Sequence, residues 1–487
     1  MRRSEALVTP TIDDWTQLDW KSVLHPCGRT GRSYLNVSPT YHRPPEPSYY
    51  TADSSYANLI RLMVIGQFSS HQLGARTLLS WLIGALGVLG AHAALPADTN
   101  PATPVAPYRA PYMPTADGEV LQQVPSASNP KVREIEALRT KLAADPNDLR
   151  KAEALAKAYF GFGRELGDAH YAGYAEAVIA PWMAQQPPPP TVLVVQATIL
   201  QYRHQFPEAR ELLAKALHRD TRNAQAWLTL ATLDMVQGDY PTANTHCVQV
   251  ARYGGLTLGL ACSGNLRSYL GQAAESTALL TQIGADAPDL PGEFKAWVQG
   301  MLAESAERLG NWPKAEAHYR KALSYTPEDN FLLIAYADFL LDRDRPKEVM
   351  TLLANFSQSD TAFLRLALAQ AALKSPDLPR YTWIMAARFE ALTQRGSDYY
   401  GREQVRFALH LQHDAKTALS LAQRNWQVQR APWDARVFLE AALAAQQPLA
   451  AAPVLAFLEQ TKLQDPIIEP LARQLRAQLK SGAVRAP

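Results

Sequence analysis

From Lys131 to Lys480 the apolar positions recur at three- and four-residue spacing, through Ala-rich segments broken at Pro or Gly. That is the period of helices buried on one face, and no run of period-two alternation is long enough to argue a strand. The chain is expected to be all-α over this region. Two segments upstream have a different texture. Residues 94–130 carry Pro96, Pro101, Pro104, Pro107, Pro111, Pro114, Pro125 and Pro130 among small and polar residues, the composition of an extended, semi-rigid linker. Residues 77–93 are uncharged and apolar behind Arg76.

The helical breaks recur at about 34 residues, the period of a two-helix repeat unit. Ala209 to Ala243 and Ala315 to Val349 are both 34 residues apart. The best-defined unit has Trp227, Leu230, Ala231, Gly238, Tyr240, Ala243, Cys247 and Val250. A second, at 296–329, matches it with Leu302, Ala303, Gly310, Trp312, Ala315, Tyr319, Ala322 and Pro327. Small residues at these offsets let two helices cross closely, where a bulky one would force them apart. Gly238 and Gly310 fall where a helix ends and a left-handed residue suits the turn. Pro327 stops a second helix.

These residues resemble the tetratricopeptide repeat family, and the segment from Asn425 through Pro432 to Ala442 is similar to exported bacterial repeat proteins of unassigned function. The resemblance implies a solenoid of about nine hairpins, the others lying at 147–184, 190–223, 258–291, 330–363, 360–396, 399–432 and 433–461. A final helix with Leu471, Leu475 and Leu479 on one stripe would cap the array, and residues 481–487 form a tail.

The apolar run ends at Ala91-His92-Ala93, a small-x-small site for signal peptidase. It is shorter than the roughly 20 residues of a membrane-spanning helix. A secretory signal cleaved between Ala93 and Ala94 is the expectation. Residues 1–75 are then a disordered or mis-started extension, with Met63 as the natural start. The rival is a type II anchor holding the repeats outside the cytoplasm. Cys27 follows His25-Pro26 and is no lipoprotein cysteine. Cys247 and Cys262 are the two cysteines downstream. In an exported chain they read as a disulfide between successive units, and otherwise as two packed thiols.

Composition changes the picture only by exclusion. The net charge is +2, from 48 Lys plus Arg against 46 Asp plus Glu, too little for a nucleic-acid field. No zinc-protease, nucleophile-elbow or phosphate-loop motif appears. His410 and His413 with Asp414 lack a third and fourth metal ligand. Neither enzyme, metal nor cofactor is expected.

The default role is protein or peptide binding on the inner face, lined by the first helix of each unit. The register places Gln225, Leu228, Thr232 and Met235 there, then Glu304, Glu307 and Arg308, then Ile334, Asp338 and Asp342. Clamping a partner's terminal carboxylate, a known use of the family, needs basic residues where this chain has Leu228 and Thr232, Gly300 and Glu304, or Ile334 and Asp338, and acids repel a carboxylate. A scaffold or assembly factor of the bacterial cell envelope is the leading reading. An enzyme accessory or glycan-binding protein, using aromatic faces such as Trp227, Trp297, Trp312 and Trp426, is the second.

Overall fold

A computed structural model describes residues 127–286, 290–394 and 401–484, and among them all regular structure is helical. The signal segment, the Ala93–Ala94 cleavage site and most of the Pro-rich linker lie outside the described residues. The opening helix α1 (Pro130–Ala144) precedes nine hairpins. These pair α2 (Leu149–Leu166) with α3 (His170–Met183), α4 (Pro190–Tyr202) with α5 (Phe206–Arg219), and α6 (Ala224–Gln237) with α7 (Tyr240–Gly254). Next come α8 (Leu256–Tyr269) with α9 (Ala273–Asp286), α10 (Gly292–Arg308) with α11 (Trp312–Tyr325), and α12 (Asn330–Asp342) with α13 (Pro346–Leu352). The array ends with α14 (Asp360–Ala372) and α15 (Leu378–Gln394), α16 (Gly401–His410) and α17 (Ala415–Trp426), α18 (Pro432–Ala444) and α19 (Ala452–Thr461), and the closing helix α20 (Ile468–Val484).

Local chemistry sets these boundaries. Asn223, Asp239, Asn311 and Asp329 each cap a helix by accepting a backbone N–H from its first turn, satisfying a donor that has no partner within the helix. Gly238 and Gly310 turn the chain between paired helices in left-handed conformation, with φ of +79° and +68°. At the hairpin crossings Ala231, Ala243, Ala303, Ala315 and Ala322 are fully buried. The expected tetratricopeptide-like register is the register of the fold.

The superhelix is wound until it meets itself, so the inner face is partly covered by the chain's own C-terminal end. The turn after α2 lies against α12 and the N-terminus of α14, so a Cβ on Gly167 would meet Ser359 and Asn330. The Arg430 backbone N–H, ahead of α18, donates to the Val236 carbonyl of α6 at 2.8 Å. The Tyr240 and Phe457 rings lie 5.8 Å apart. One core cluster runs from Leu228, Tyr240 and Leu302 to Phe438, Phe457 and Leu475. The first helices are themselves enclosed by their neighbours. On α12, Leu332, Leu333, Ile334, Tyr336, Ala337, Phe339 and Leu340 are all buried. Such residues surround the helix, and one apolar all round must be covered on both sides. Its own hairpin and the adjoining repeats, from Ala303 to Leu411, cover most of it, and α2 packs against it from another turn of the superhelix. α20 is accordingly more than an end cap: Ile468, Ala472 and Leu475 enter the shared core.

Candidate functional site

The inner faces line a cavity of about 150 Å³ between the middle repeats and the C-terminal ones. Nine of the ten residues aimed inward by the register line it: Leu228, Thr232, Met235, Glu304, Glu307, Arg308, Ile334, Asp338 and Asp342. Gln225 does not. It is buried and donates its side-chain amide to Thr229 at 3.1 Å, within its own helix. The opposite wall is Pro432, Trp433 and Arg436 of α18, with Asp465, Ile467 and Ile468 at the start of α20. The expected inner-face residues therefore converge, but what faces them is the chain's own C-terminal end. Leu228, Met235, Ile334 and Asp338 are buried, while Thr232, Glu304, Glu307, Arg308 and Asp342 keep part of their surface. The inner face expected to bind a protein or peptide is here a recess. A volume of this order suits one benzene-sized group, well below the roughly 300 Å³ at which drug-sized ligand pockets begin.

Most charges in the wall are matched. Asp342 takes Arg436 on both oxygens, at 2.6 and 2.7 Å, and Glu440 receives Nε of the same guanidinium at 2.8 Å. Asp338 is held by Arg365 and, at 2.8 Å, by Arg406. Burial alone would raise its pKa, yet the two guanidiniums hold it well below the usual carboxylate range. Glu304 pairs with Arg308 at 3.3 Å, and the Arg308 guanidinium also lies 5.0 Å over the Tyr269 ring. Asp465 accepts the backbone N–H groups of Ile467 and Ile468 at the start of α20.

Glu307 is different. Its hydrogen-bond partner is the Tyr319 hydroxyl, which donates to it in a short contact, and no cation pairs with it among the described residues. Burial, then the nearby carboxylates of Glu304 and Asp342, push it up to about 8, against the lowering pull of Tyr319 and Arg308. Around it the lining is aromatic, with Trp297, Tyr319, Phe331 and Trp433. Trp433 itself lies under two guanidiniums, Arg406 at 4.8 Å and Arg436 at 4.3 Å.

Cys247 of α7 and Cys262 of α8 are joined by a disulfide with Cα atoms 5.5 Å apart, and Cys262 lies in the cavity wall. The His410 Nε2 sits 3.5 Å from Glu440, while His413 occupies the left-handed turn after α16. Among the described residues no group of three or more His, Cys, Asp and Glu is arranged to hold a metal. Trp227 donates to the Thr221 carbonyl, Trp312 stacks beneath Arg343 and Trp426 packs on Phe438 and Phe457.

Sequence reasoning missed the second wall. Trp433, Arg436 and Asp465 are distant from the middle repeats in the chain and share no offset with them. The cation Arg365 inside the apolar run Phe363–Leu368 does signal carboxylates on neighbouring helices, but it finds them on α12 and α16 and not in this wall.

No protein-family model matches this chain, and no curated protein matches it. Solved structures similar to it include the hetero-tetramer Cut9-Hcn1 of APC/C, at 14% identity and a TM-score of 0.36, covering 71% of this chain and 52% of that one. Yeast Tom70 is similar at 11% identity and a TM-score of 0.38, covering 73% of this chain and 87% of that one. The chain thus spans about half the length of the first of these.

Proposed function

We propose that the protein is a non-catalytic protein-interaction scaffold or assembly factor of the bacterial cell envelope, reached through the signal segment ending at Ala93. A partner would dock over the repeats and place one anchoring side chain or chain end in the central recess. The observation that carries this reading is the convergence of nine inner-face residues on one partly open cavity with aromatic and charged walls. Solenoids of this kind recognise partners through the inner faces of their repeats, and small recesses with a few polar groups give such contacts their specificity.

The test is site-specific photocrosslinking in intact cells, from a photoreactive residue at Thr232 and, as a control on the outer face, at Lys321. A single protein should be caught from Thr232 and not from Lys321. The recess-filling change Ala335→Trp should abolish it. Equal capture from both positions, or capture insensitive to Ala335→Trp, would reject the recess as the docking point. A reporter active only outside the cytoplasm, fused after Lys480, should be active, and the mature chain should begin at Ala94.

A further inference from the structure

The occupant's chemistry can be narrowed, on the reading that the recess is a binding site. Its walls combine an aromatic lining from Trp297, Phe331 and Trp433 with a carboxylate, Glu307, that is held by the Tyr319 hydroxyl and forms no ion pair among the described residues. The other lining carboxylates are engaged: Glu304 by Arg308, Asp338 by Arg365, Asp342 by Arg436, and Asp465 by the backbone at the start of α20. The lining guanidiniums are likewise committed, Arg308 to Glu304, Arg365 to Asp338 and Glu403, Arg402 to Glu403 and Arg436 to Asp342, so an anion entering the recess would meet cations already paired and would face Glu307. An uncharged apolar group would leave Glu307 still without a counter-charge. A group with a positive end and an alkyl stem satisfies both features, because aromatic faces attract cations and cover methylenes.

We propose that the recess binds an alkylammonium group, the ammonium on Glu307 and the alkyl stem against Trp297, Phe331 and Trp433. The volume fits one such group of four or five heavy atoms, on the scale of a lysine side chain. Binding would favour ionised Glu307 and so carries a proton signature. The titratable and charged groups that share the recess with it are Glu304 and Arg308 on its own helix, Tyr269 on α8, Tyr319 on α11, Asp338 and Asp342 on α12, Arg365 on α14, Arg402 on α16, Arg436 on α18 and Asp465 before α20. Those carboxylates are already engaged, leaving Glu307, pushed up to about 8, as the one that loses a proton when a cation arrives near neutral pH.

The experiment is calorimetric titration of the full mature chain with n-butylammonium chloride, with 1-butanol as the uncharged match. Butylammonium should bind saturably and butanol at least tenfold more weakly. At pH 7 the heat should depend on the ionisation heat of the buffer, reporting proton release, and that dependence should vanish by pH 9.5. Glu307→Gln keeps the shape and the Tyr319 contact and should weaken butylammonium by about 10- to 100-fold, the range for a hydrogen bond to a charged group, without weakening butanol. A lysine-containing tripeptide with blocked ends and its Nε-acetylated form distinguish the sources. Binding of the unacetylated peptide alone assigns the site to a partner's lysine, and binding of butylammonium but neither peptide assigns it to a free small amine. Equal affinity for butylammonium and butanol, no binding of butylammonium, or an unchanged Glu307→Gln variant each overturns the proposal. The partner crosslink from Thr232 is independent of this result. Crosslinking without amine binding leaves the scaffold reading standing, and amine binding without a crosslink leaves the cation site and removes the scaffold reading.

Discussion

Arg365 donates its Nε and Nη2 to the two carboxylate oxygens of Asp338, at 3.1 and 2.8 Å, joining α14 to α12 with both side chains buried. The same guanidinium bonds Glu403 of α16, and Arg406 of α16 closes back on Asp338. First helices of three successive repeats are thereby fixed in one register by one buried ionic cluster. Apolar contacts alone are less selective, since they tolerate sliding that a bidentate pair does not.

Asp338→Ala should therefore cost about 3 to 5 kcal/mol, because it leaves Arg406 without its carboxylate and Arg365 with Glu403 alone in a buried site. Asp338→Asn, which keeps the shape but loses the charge, should also destabilise. Chemical denaturation of both variants measures this. Unfolding of Asp338→Ala within 1 kcal/mol of the parent would mean that the cluster does not hold the three repeats.

Two glycines separate the cost of a conformation from the cost of a contact. Gly310 has φ of +68° and open space around a would-be Cβ, so Gly310→Ala should cost about 1 to 2 kcal/mol, the penalty for a left-handed residue with a side chain. Gly271 has nearly the same φ, +70°, but its Cβ would lie 2.0 Å from the Lys462 carbonyl oxygen. Gly271→Ala should therefore cost clearly more and should loosen α19 and α20. Hydrogen exchange on those two helices checks it, and equal effects of the two changes would refute the contact between the middle and the end of the chain.

These contrasts mark how far the sequence could be read. The hairpins, their left-handed glycine turns and the small residues at Ala231 and Ala315 follow from local periodicity, because each residue's neighbours lie within one repeat. The closure does not. Asp342 meets Arg436 94 residues away, and the amide of Gln429 comes 3.5 Å from the His204 ring 225 residues away. Such contacts have no period. The apolar α12 and the cation Arg365 in its apolar run do not foreshadow them, because both are satisfied mainly by adjoining repeats. For the same reason the inner-face residues could be named one by one while the wall opposite them could not.

Replacing Ala231 or Ala315 with Leu should cost about 1 to 3 kcal/mol, since both are fully buried where helices cross and have no room to collapse around extra methylenes. Thermal unfolding of each variant is the measurement. An unchanged melting curve would contradict the close crossing.

The raised pKa of Glu307 predicts a pH dependence with a definite sign. The folded state holds its proton up to about pH 8, while the ordinary value is 4.5. Between those limits the folded chain binds more protons than the unfolded chain, so stability falls as pH rises from about 4.5 to about 8 and levels off above. Glu307→Gln removes this slope. The parent should lose roughly 2 to 4 kcal/mol relative to the variant across the window, after discounting for the carboxyl's partial access to water. Parallel stability curves for the two proteins from pH 5 to 8.5 would show that Glu307 titrates normally.

The stabilisation that the disulfide contributes can be bounded from both sides. Cys247 and Cys262 are 15 residues apart, and the chain-entropy model gives about 3 kcal/mol for closing a loop of that length. Yet α7 and α8 are already consecutive helices joined through Gly255 alone, and they pack on each other along the shared core. Part of the entropy that a crosslink removes from a free chain is thus removed by any residual pairing of these two helices when the rest unfolds. The double change Cys247→Ala, Cys262→Ala should therefore cost less than the full 3 kcal/mol in closure, with a further contribution from the side-chain volume lost at two fully buried positions. Reduction of the parent separates the two, because it opens the crosslink while keeping the sulfur atoms in place. Both sulfurs are buried, so dithiothreitol should act only after local opening of the third and fourth repeats, at a rate that rises with denaturant. Hydrogen exchange in the reduced chain should rise mainly in α6 to α9, since repeats couple chiefly to their neighbours. Immediate reduction under native conditions would refute a buried bond, and a uniform loss of protection from α2 to α20 would refute the local coupling.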